Sequence, residues 1–161
     1  LSGCSHHEGI RAAVGELGTR GLRDQKDQLL LLQGALSLEW SRRKWGILPR
    51  VENSDLNSNN APTAHRMTRW IKSEICVSGM ENWRFVKLHT HGGPERNHPV
   101  LIGKARQTFH NDLAALAKQS GFRLHYVSAR EMVNILHAAE DGHTGDAGEW
   151  RNYIYSPPAC L

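Results

Sequence analysis

The chain has 161 residues, of which 39% are hydrophobic and 22% are charged, and this size and composition fit one globular domain and argue against several. Its formal net charge of +4 is modest and is spread along the chain, so it does not point to a nucleic-acid partner. The longest apolar run, residues 29–32, is far shorter than the roughly 20 residues that cross a bilayer, and the first residues lack the charged and apolar regions of a signal peptide. The sequence therefore predicts no membrane span and leaves the compartment open.

The cysteines do not form a recognisable pattern. There are three of them, Cys4, Cys76 and Cys160, and none belongs to a C-x-x-C pair. An odd number of widely separated cysteines is not typical of a disulfide scaffold or of a thiolate zinc site. We therefore expect neither.

The first part of the chain predicts a disordered segment, a strand and a long loop. Residues 1–28 mix five glycines with charged residues, which disfavours a helix, so we expect them to be poorly ordered. Residues 29–40 begin with an apolar run and continue with alternating leucines, which is the pattern of a buried strand. Residues 41–61 are polar, and a loop of this length in a compact domain is usually functional or disordered.

Helices and strands alternate over the rest of the chain. Helical spacing of apolar residues, a glycine cap at Gly121 and a capping box from Ser128 to Glu131 mark the helices. We predict helices over residues 62–79, 103–120 and 129–139, and strands over residues 83–88 and 122–127.

This order of elements predicts an α/β fold with parallel strands joined by right-handed crossovers. Three strands cannot close a barrel, which takes about eight, so the expected architecture is part of a barrel or a doubly wound sheet. We expect the domain to cover residues 29–155 and a surface tail to cover residues 156–161.

Two histidines follow the predicted strand over residues 83–88. His89 and His91 are two residues apart, so on a strand their side chains share a face and converge on one ion or substrate. Glu95 and His98 follow closely and offer a carboxylate and a third imidazole. Three interpretations stay open: a metal site formed by His89, His91 and His98, a metal-free role in substrate binding or proton transfer, and purely structural histidines.

A second group of polar residues occupies the predicted loop over residues 41–61. Arg50, Glu52, Asn53 and Asp55 lie close together in sequence. A planar guanidinium, two carboxylates and an amide supply the hydrogen bonds that an array of sugar hydroxyls needs. They are equally consistent with a solvated loop whose Asn and Asp stabilise turns.

Three stretches resemble the last third of polysaccharide deacetylase-like proteins. Residues 85–92 read FVKLHTHG, and after the next predicted helix residues 121–132 read GFRLHYVSAREM. In that family a strand ending in Leu-Leu-His precedes a helix, and a Gly-Tyr/Phe-x-Phe-Val-Thr-x-x-Glu-Leu segment closes the domain. Residues 33–55 are similar to a bacterial branch of these proteins. The resemblance covers about residues 29–155.

The resemblance implies the closing β/α units of a (β/α)7 barrel and the metal-dependent removal of acyl groups from N-acetylated sugars. By the same resemblance His89 lines the acyl pocket and is the general acid, and the complete family enzyme uses a divalent metal such as zinc. The metal-binding Asp, the His-x-x-x-His motif and the Asp that serves as catalytic base have no counterpart in this sequence.

We therefore expect a carbohydrate-active domain that is incomplete, inactive alone and complemented by an N-terminal half of the same protein. In this interpretation His89 is catalytic, while His91, Arg50, Glu52, Asn53, Asp55 and Glu95 bind the carbohydrate substrate. A self-contained metal-dependent hydrolase that uses His89 and His91, and a non-catalytic sugar-binding module, are the alternatives.

Overall fold

A computed structural model describes residue 32 and residues 36–44 and 47–155. This part of the chain is mixed helix and strand, and helix predominates. It forms two compact units. The first, here called the hairpin unit, contains residues 36–73 together with Val86–Leu124. The second, the C-terminal unit, contains Glu74–Phe85 and the described residues from His125 on.

The hairpin unit begins with two antiparallel strands, β1 (Ser37–Lys44) and β2 (Leu48–Glu52). The side-chain pattern of this hairpin is inverted, because Leu38 and Val51, which lie opposite each other, are 54% and 56% exposed while Glu39 and Glu52 are buried. Residues 29–31 and 33–35 of the predicted strand lie outside the described residues, and its last part is found in β1, which continues to Lys44. Strand β2 lies within what the sequence predicts to be a loop. The charged residues of β2 are compatible with a strand because Glu52 has an ionic partner inside the unit.

Helix α1 (Ala64–Lys72) follows the hairpin. Thr63 caps it by accepting a hydrogen bond from the Arg66 amide. The helix ends seven residues before the predicted Gly79, because Ser73 is the C-cap and Glu74 adopts a positive φ of 50° that a helix does not continue through.

The hairpin unit is completed by a 3₁₀ turn (Glu95–Asn97), the short helix α2 (His98–Leu101) and the long helix α3 (Lys104–Gln119). The prediction of α3 is confirmed to within a residue at each end, and Gly121 has the positive φ of 74° expected just after a helix. The rings of Trp70 and Phe109 meet edge to face at 6.3 Å and join α1 to α3. The core around them consists of Leu56, Met67, Val86, Leu88, Leu101, Leu113 and Leu116.

The C-terminal unit is organised around helix α4 (Ala129–Glu140). The predicted capping box is confirmed, since Ser128 accepts from the Glu131 amide while the Glu131 carboxylate accepts from the Ser128 amide. Asp141 caps the other end, and a 3₁₀ turn (Ala147–Trp150) follows. The buried Cys76 is disulfide-bonded, a bond that the number and spacing of the cysteines do not predict.

The predicted strands over residues 83–88 and 122–127 are not found as strands. A strand needs a hydrogen-bonded neighbour along its length, and these segments bond elsewhere. The Phe85 amide donates to the Ile75 carbonyl, and the Tyr126 carbonyl accepts from the Arg151 guanidinium. The strand pairing of the described residues amounts to the β1–β2 hairpin and isolated bridges, one of which, Asp55 with His89, is parallel. A partial (β/α) barrel stays a prediction.

The predicted disordered segment over residues 1–28 and the tail over residues 156–161 lie outside the described residues. Among the described helices, none combines the length and the apolar character needed to cross a bilayer.

Candidate functional site

The site of interest lies in the hairpin unit and is anchored by a buried ion pair. Glu52, at the end of β2, is 2% exposed, and Arg66 of α1 is fully buried. The two side chains meet in a double hydrogen bond, with Nε of Arg66 at 2.6 Å from one carboxylate oxygen and Nη2 at 2.7 Å from the other. This bidentate geometry is the strongest that a guanidinium and a carboxylate form.

Glu52 accepts two further hydrogen bonds, from the Trp70 indole at 3.1 Å and from the Ser54 amide at 2.8 Å. Burial by itself raises the pKa of Glu52, but the hydrogen bonds from Arg66, Trp70 and Ser54 and the positive charge of Arg66 outweigh it, so the pKa lies below its ordinary value. Glu52 is therefore an ionised anchor. The sequence places it among the substrate-binding residues, whereas the structure engages both of its oxygens within the unit.

Arg66 also holds the loop that leaves β2. Its guanidinium donates to the backbone carbonyls of Asp55 at 2.7 Å, of Ala61 at 3.1 Å, and of Asn60. One buried cation thus fixes both ends of the loop over residues 53–61. The polar loop that the sequence predicts over residues 41–61 is found over residues 53–61, and Arg66 fixes its backbone.

The backbone is strained at Ser54, which is fully buried and adopts a φ of 64°. A non-glycine residue in this left-handed region costs on the order of 1 kcal/mol and persists only where the surroundings enforce it. Here the Glu52 carboxylate enforces it by accepting from the Ser54 amide. The strained residue sets the direction of the next side chain, Asp55.

Asp55 is brought to His89 by the parallel bridge between their backbones. The His89 amide donates to the Ser54 carbonyl at 3.3 Å, and the His89 carbonyl accepts from the Leu56 amide at 2.9 Å. Partners in a parallel bridge direct their side chains to the same side of the pair. The structure therefore brings together two residues that the sequence singles out from separate segments.

Both side chains carry a buried polar atom without a partner. Oδ1 of Asp55 and Nδ1 of His89 are shielded from solvent, and neither has a hydrogen bond to any described residue. The other oxygen of Asp55 accepts from the Asn57 side chain. A buried polar atom left unpaired costs about 1–3 kcal/mol, so two of them at one bridge single out Asp55 and His89 as the candidate site.

The structure also places the other two predicted residues of this loop, Asn53 and Arg50. Asn53 is half-buried, and its side-chain oxygen accepts from the Asp55 amide at 3.2 Å in an Asx turn. Arg50 lies on β2 opposite Glu39. Asn53 thus shapes the loop, and its bond is the turn-stabilising role that the sequence leaves open as an alternative.

His91, Glu95 and His98 lie further along and are exposed. The His91 carbonyl accepts from the Asn97 side chain at 2.8 Å, Glu95 opens the 3₁₀ turn, and His98 opens α2. The chain turns away after His89 and does not continue as a strand, so His89 and His91 do not share a strand face as the sequence predicts.

The zinc implied by the family resemblance can be tested against these positions. Within residues 36–44 and 47–155, no three His, Cys, Asp or Glu side chains come together as a metal site. The set of His89, His91 and His98 therefore does not fit a zinc ion in this arrangement, and the chemistry considered below uses the protein's own groups.

Sequence reasoning missed Arg66 and Asn97. Arg66 lies four residues before Trp70, on the same face of α1, and its guanidinium carbon is 5.2 Å from the centre of the Trp70 ring. A cation on the apolar face of the predicted helix is the one sequence signal that could have singled out Arg66. The buried Asn97 joins two loops by accepting from the Ser58 amide and donating to the His91 carbonyl, and no local pattern indicates such a role.

Comparisons of the chain with protein-family models, with curated proteins and with solved structures found no match. Its function is therefore inferred from the chemistry of its own residues.

Proposed function

We propose that the hairpin unit is part of a carbohydrate-active site of the polysaccharide deacetylase kind, which acts on N-acylated sugars. The observation that carries this proposal is the pair of buried, unpartnered polar atoms on Asp55 and His89, held side by side at the parallel bridge. The motif over residues 85–92, which resembles the Leu-Leu-His strand end of that family, supports it.

The two groups have complementary roles in cleaving an amide. An imidazole titrates close to neutral pH and can pass a proton to the departing sugar amine, so His89 is the proposed general acid. A carboxylate on the same side of the bridge accepts a hydrogen bond from a substrate N–H or O–H, so Asp55 is the proposed positioning and binding group. Glu52, Arg66 and strained Ser54 hold Asp55 in place.

The proposal predicts that this chain binds an N-acetylglucosamine oligosaccharide without releasing acetate, because its described residues do not assemble the metal site of the family. Binding is measured by calorimetry and acetate by an enzymatic assay. His89→Asn and Asp55→Asn each remove one hydrogen bond from a buried site, and we expect each to weaken binding about tenfold. His98→Asn is the matched control, since it changes an exposed histidine of the same unit.

Other results would favour the alternatives. Acetate release that depends on added zinc and is lost with His91→Asn would indicate a self-contained metal-dependent hydrolase using His89 and His91. Sugar binding that survives both the His89 and the Asp55 substitutions would indicate a non-catalytic sugar-binding module whose site lies elsewhere.

A further inference from the structure

The C-terminal unit contains a cleft that the proposed function does not use. It has a volume of about 550 Å³ and is lined by residues of α4 and of the segment that follows the second 3₁₀ turn: Arg130, Asn134, Asn152, Tyr153, Ile154 and Tyr155. Arg130 and Asn134 are four residues apart on α4, so their side chains lie on one face of the helix. The opposite wall is formed by consecutive residues of one segment.

The aromatic part of this wall is held in place. The Tyr153 hydroxyl bonds to the Asp141 carboxylate, and its ring meets the Trp150 ring at a centroid distance of 5.7 Å. The Tyr155 ring lies against the His137 ring at 4.1 Å and is still 40% exposed. The cleft is thus preformed, with apolar surface from Tyr155 and from Ile154, which is 90% exposed.

Part of the polar lining of the cleft has no partner among the described residues. Asn134 is only 8% exposed, and its amide nitrogen donates to the Arg151 carbonyl at 2.7 Å. Because a carbonyl only accepts, this bond fixes the orientation of the amide and leaves Oδ1 as a free acceptor at the cleft. Neither the Arg130 guanidinium nor the Asn152 side chain makes a hydrogen bond or salt bridge with the described residues.

These groups restrict the chemistry of a ligand. The acceptor on Asn134 requires a ligand that donates, while the Arg130 guanidinium and the amide nitrogen of Asn152 require one that accepts. An ionised carboxylate cannot donate to Asn134, and a cation is repelled by Arg130. Hydroxyl groups do both, and a ring that carries several of them also has C–H faces to cover Tyr155 and Ile154.

We propose that this cleft binds one neutral pyranose ring of a glycan. The proposal does not depend on the function assigned to Asp55 and His89, because every residue of the cleft belongs to the C-terminal unit. An open site with three polar side chains holds such a ring weakly and in fast exchange, so it suits one sugar within a longer chain.

The test is a titration of the isotope-labelled protein with methyl glucoside, which has no N-acyl group, followed by NMR. We expect the side-chain amide signals of Asn134 and Asn152 to shift, and Arg130→Ala to weaken binding about fivefold through the loss of one charged hydrogen bond. Arg106→Ala is the matched control, because Arg106 is also an exposed arginine near the start of a helix but lies in the hairpin unit, and it should leave binding unchanged.

Three results would overturn the proposal. They are unshifted Asn134 and Asn152 signals at the highest soluble glucoside concentration, equal binding by Arg130→Ala and wild type, and stronger shifts with cyclohexanecarboxylate than with the glucoside. Since Arg130 and Asn152 are both exposed, Asn152→Ala provides a second variant that the fold tolerates, and it should weaken glucoside binding in the same direction.

Discussion

Each of the two units buries a glutamate beside a basic side chain, and the two pairs differ in kind. Glu52 of the hairpin unit receives a double hydrogen bond from Arg66 and two more from Trp70 and Ser54. Glu140 of the C-terminal unit, also 2% exposed, is paired through a single contact of 2.7 Å with Nδ1 of His137.

The two pairs differ in the protonation chemistry of the basic partner. A guanidinium stays protonated at any pH that a protein encounters, so the Arg66 pair is a permanent ion pair. An imidazole donates one hydrogen bond to a carboxylate in either protonation state, so the His137 pair does not need two buried charges. The permanent pair holds the loop of the candidate site, whereas the other pair lies within a single helix, three residues apart.

The largest effect should come from removing the permanent cation. Arg66→Ala leaves the Glu52 charge buried without its partner and releases three loop carbonyls, so we expect the free energy of unfolding of the hairpin unit to fall by about 3–5 kcal/mol. Urea denaturation measures it. Arg69→Ala is the control on the same helix, since Arg69 is only half-buried and bonds to the Ser37 hydroxyl and the Leu38 carbonyl. Similar losses of unfolding free energy in the two variants would show that the Glu52–Arg66 pair contributes no more than a half-buried arginine of the same helix.

A smaller effect should come from neutralising the glutamate of the other pair. Glu140→Gln keeps an oxygen that accepts from the His137 imidazole, so the free energy of unfolding of the C-terminal unit should fall by about 1 kcal/mol. Glu149→Gln, at an exposed position of the same unit, should have no measurable effect. A loss for Glu140→Gln as large as that for Arg66→Ala would mean that the two pairs stabilise their units to the same extent.

Features that are fixed by neighbouring residues are predicted from the sequence, whereas features that depend on distant partners are not. Helix α4 is predicted to within a residue because Ser128 and Glu131 form a complete start signal within four positions, and Gly121 likewise marks the end of α3. Strand β2 is missed because its pattern is inverted, with Glu52 inside and Val51 outside, and only the distant partner Arg66 stabilises the buried charge.

The candidate site is predicted in part for the same reason. Asp55 and His89 are chosen from the sequence by residue type and by position after predicted strands, and the structure does bring them to one bridge. Their neighbours are not predictable in this way, because the role of Arg66 depends on contacts with residues up to 14 positions away and that of Asn97 on a contact 39 positions away.

The last and smallest effect is a dependence of the stability on pH that arises from Glu52. Since the pKa of folded Glu52 lies below the ordinary value of 4.5, the unfolded chain binds its proton first as the pH falls. The stabilisation is therefore complete above about pH 4.5 and is lost progressively below it, toward the pKa of the folded state. Urea denaturation of wild type and Glu52→Gln over a series of pH values isolates this contribution, because all other carboxylates titrate in both proteins. We expect the stability difference between the two to be constant near neutral pH and to shrink on acidification below 4.5. A difference that does not change with pH would mean that Glu52 has the same pKa in the folded and unfolded states, and that Arg66 does not hold it ionised.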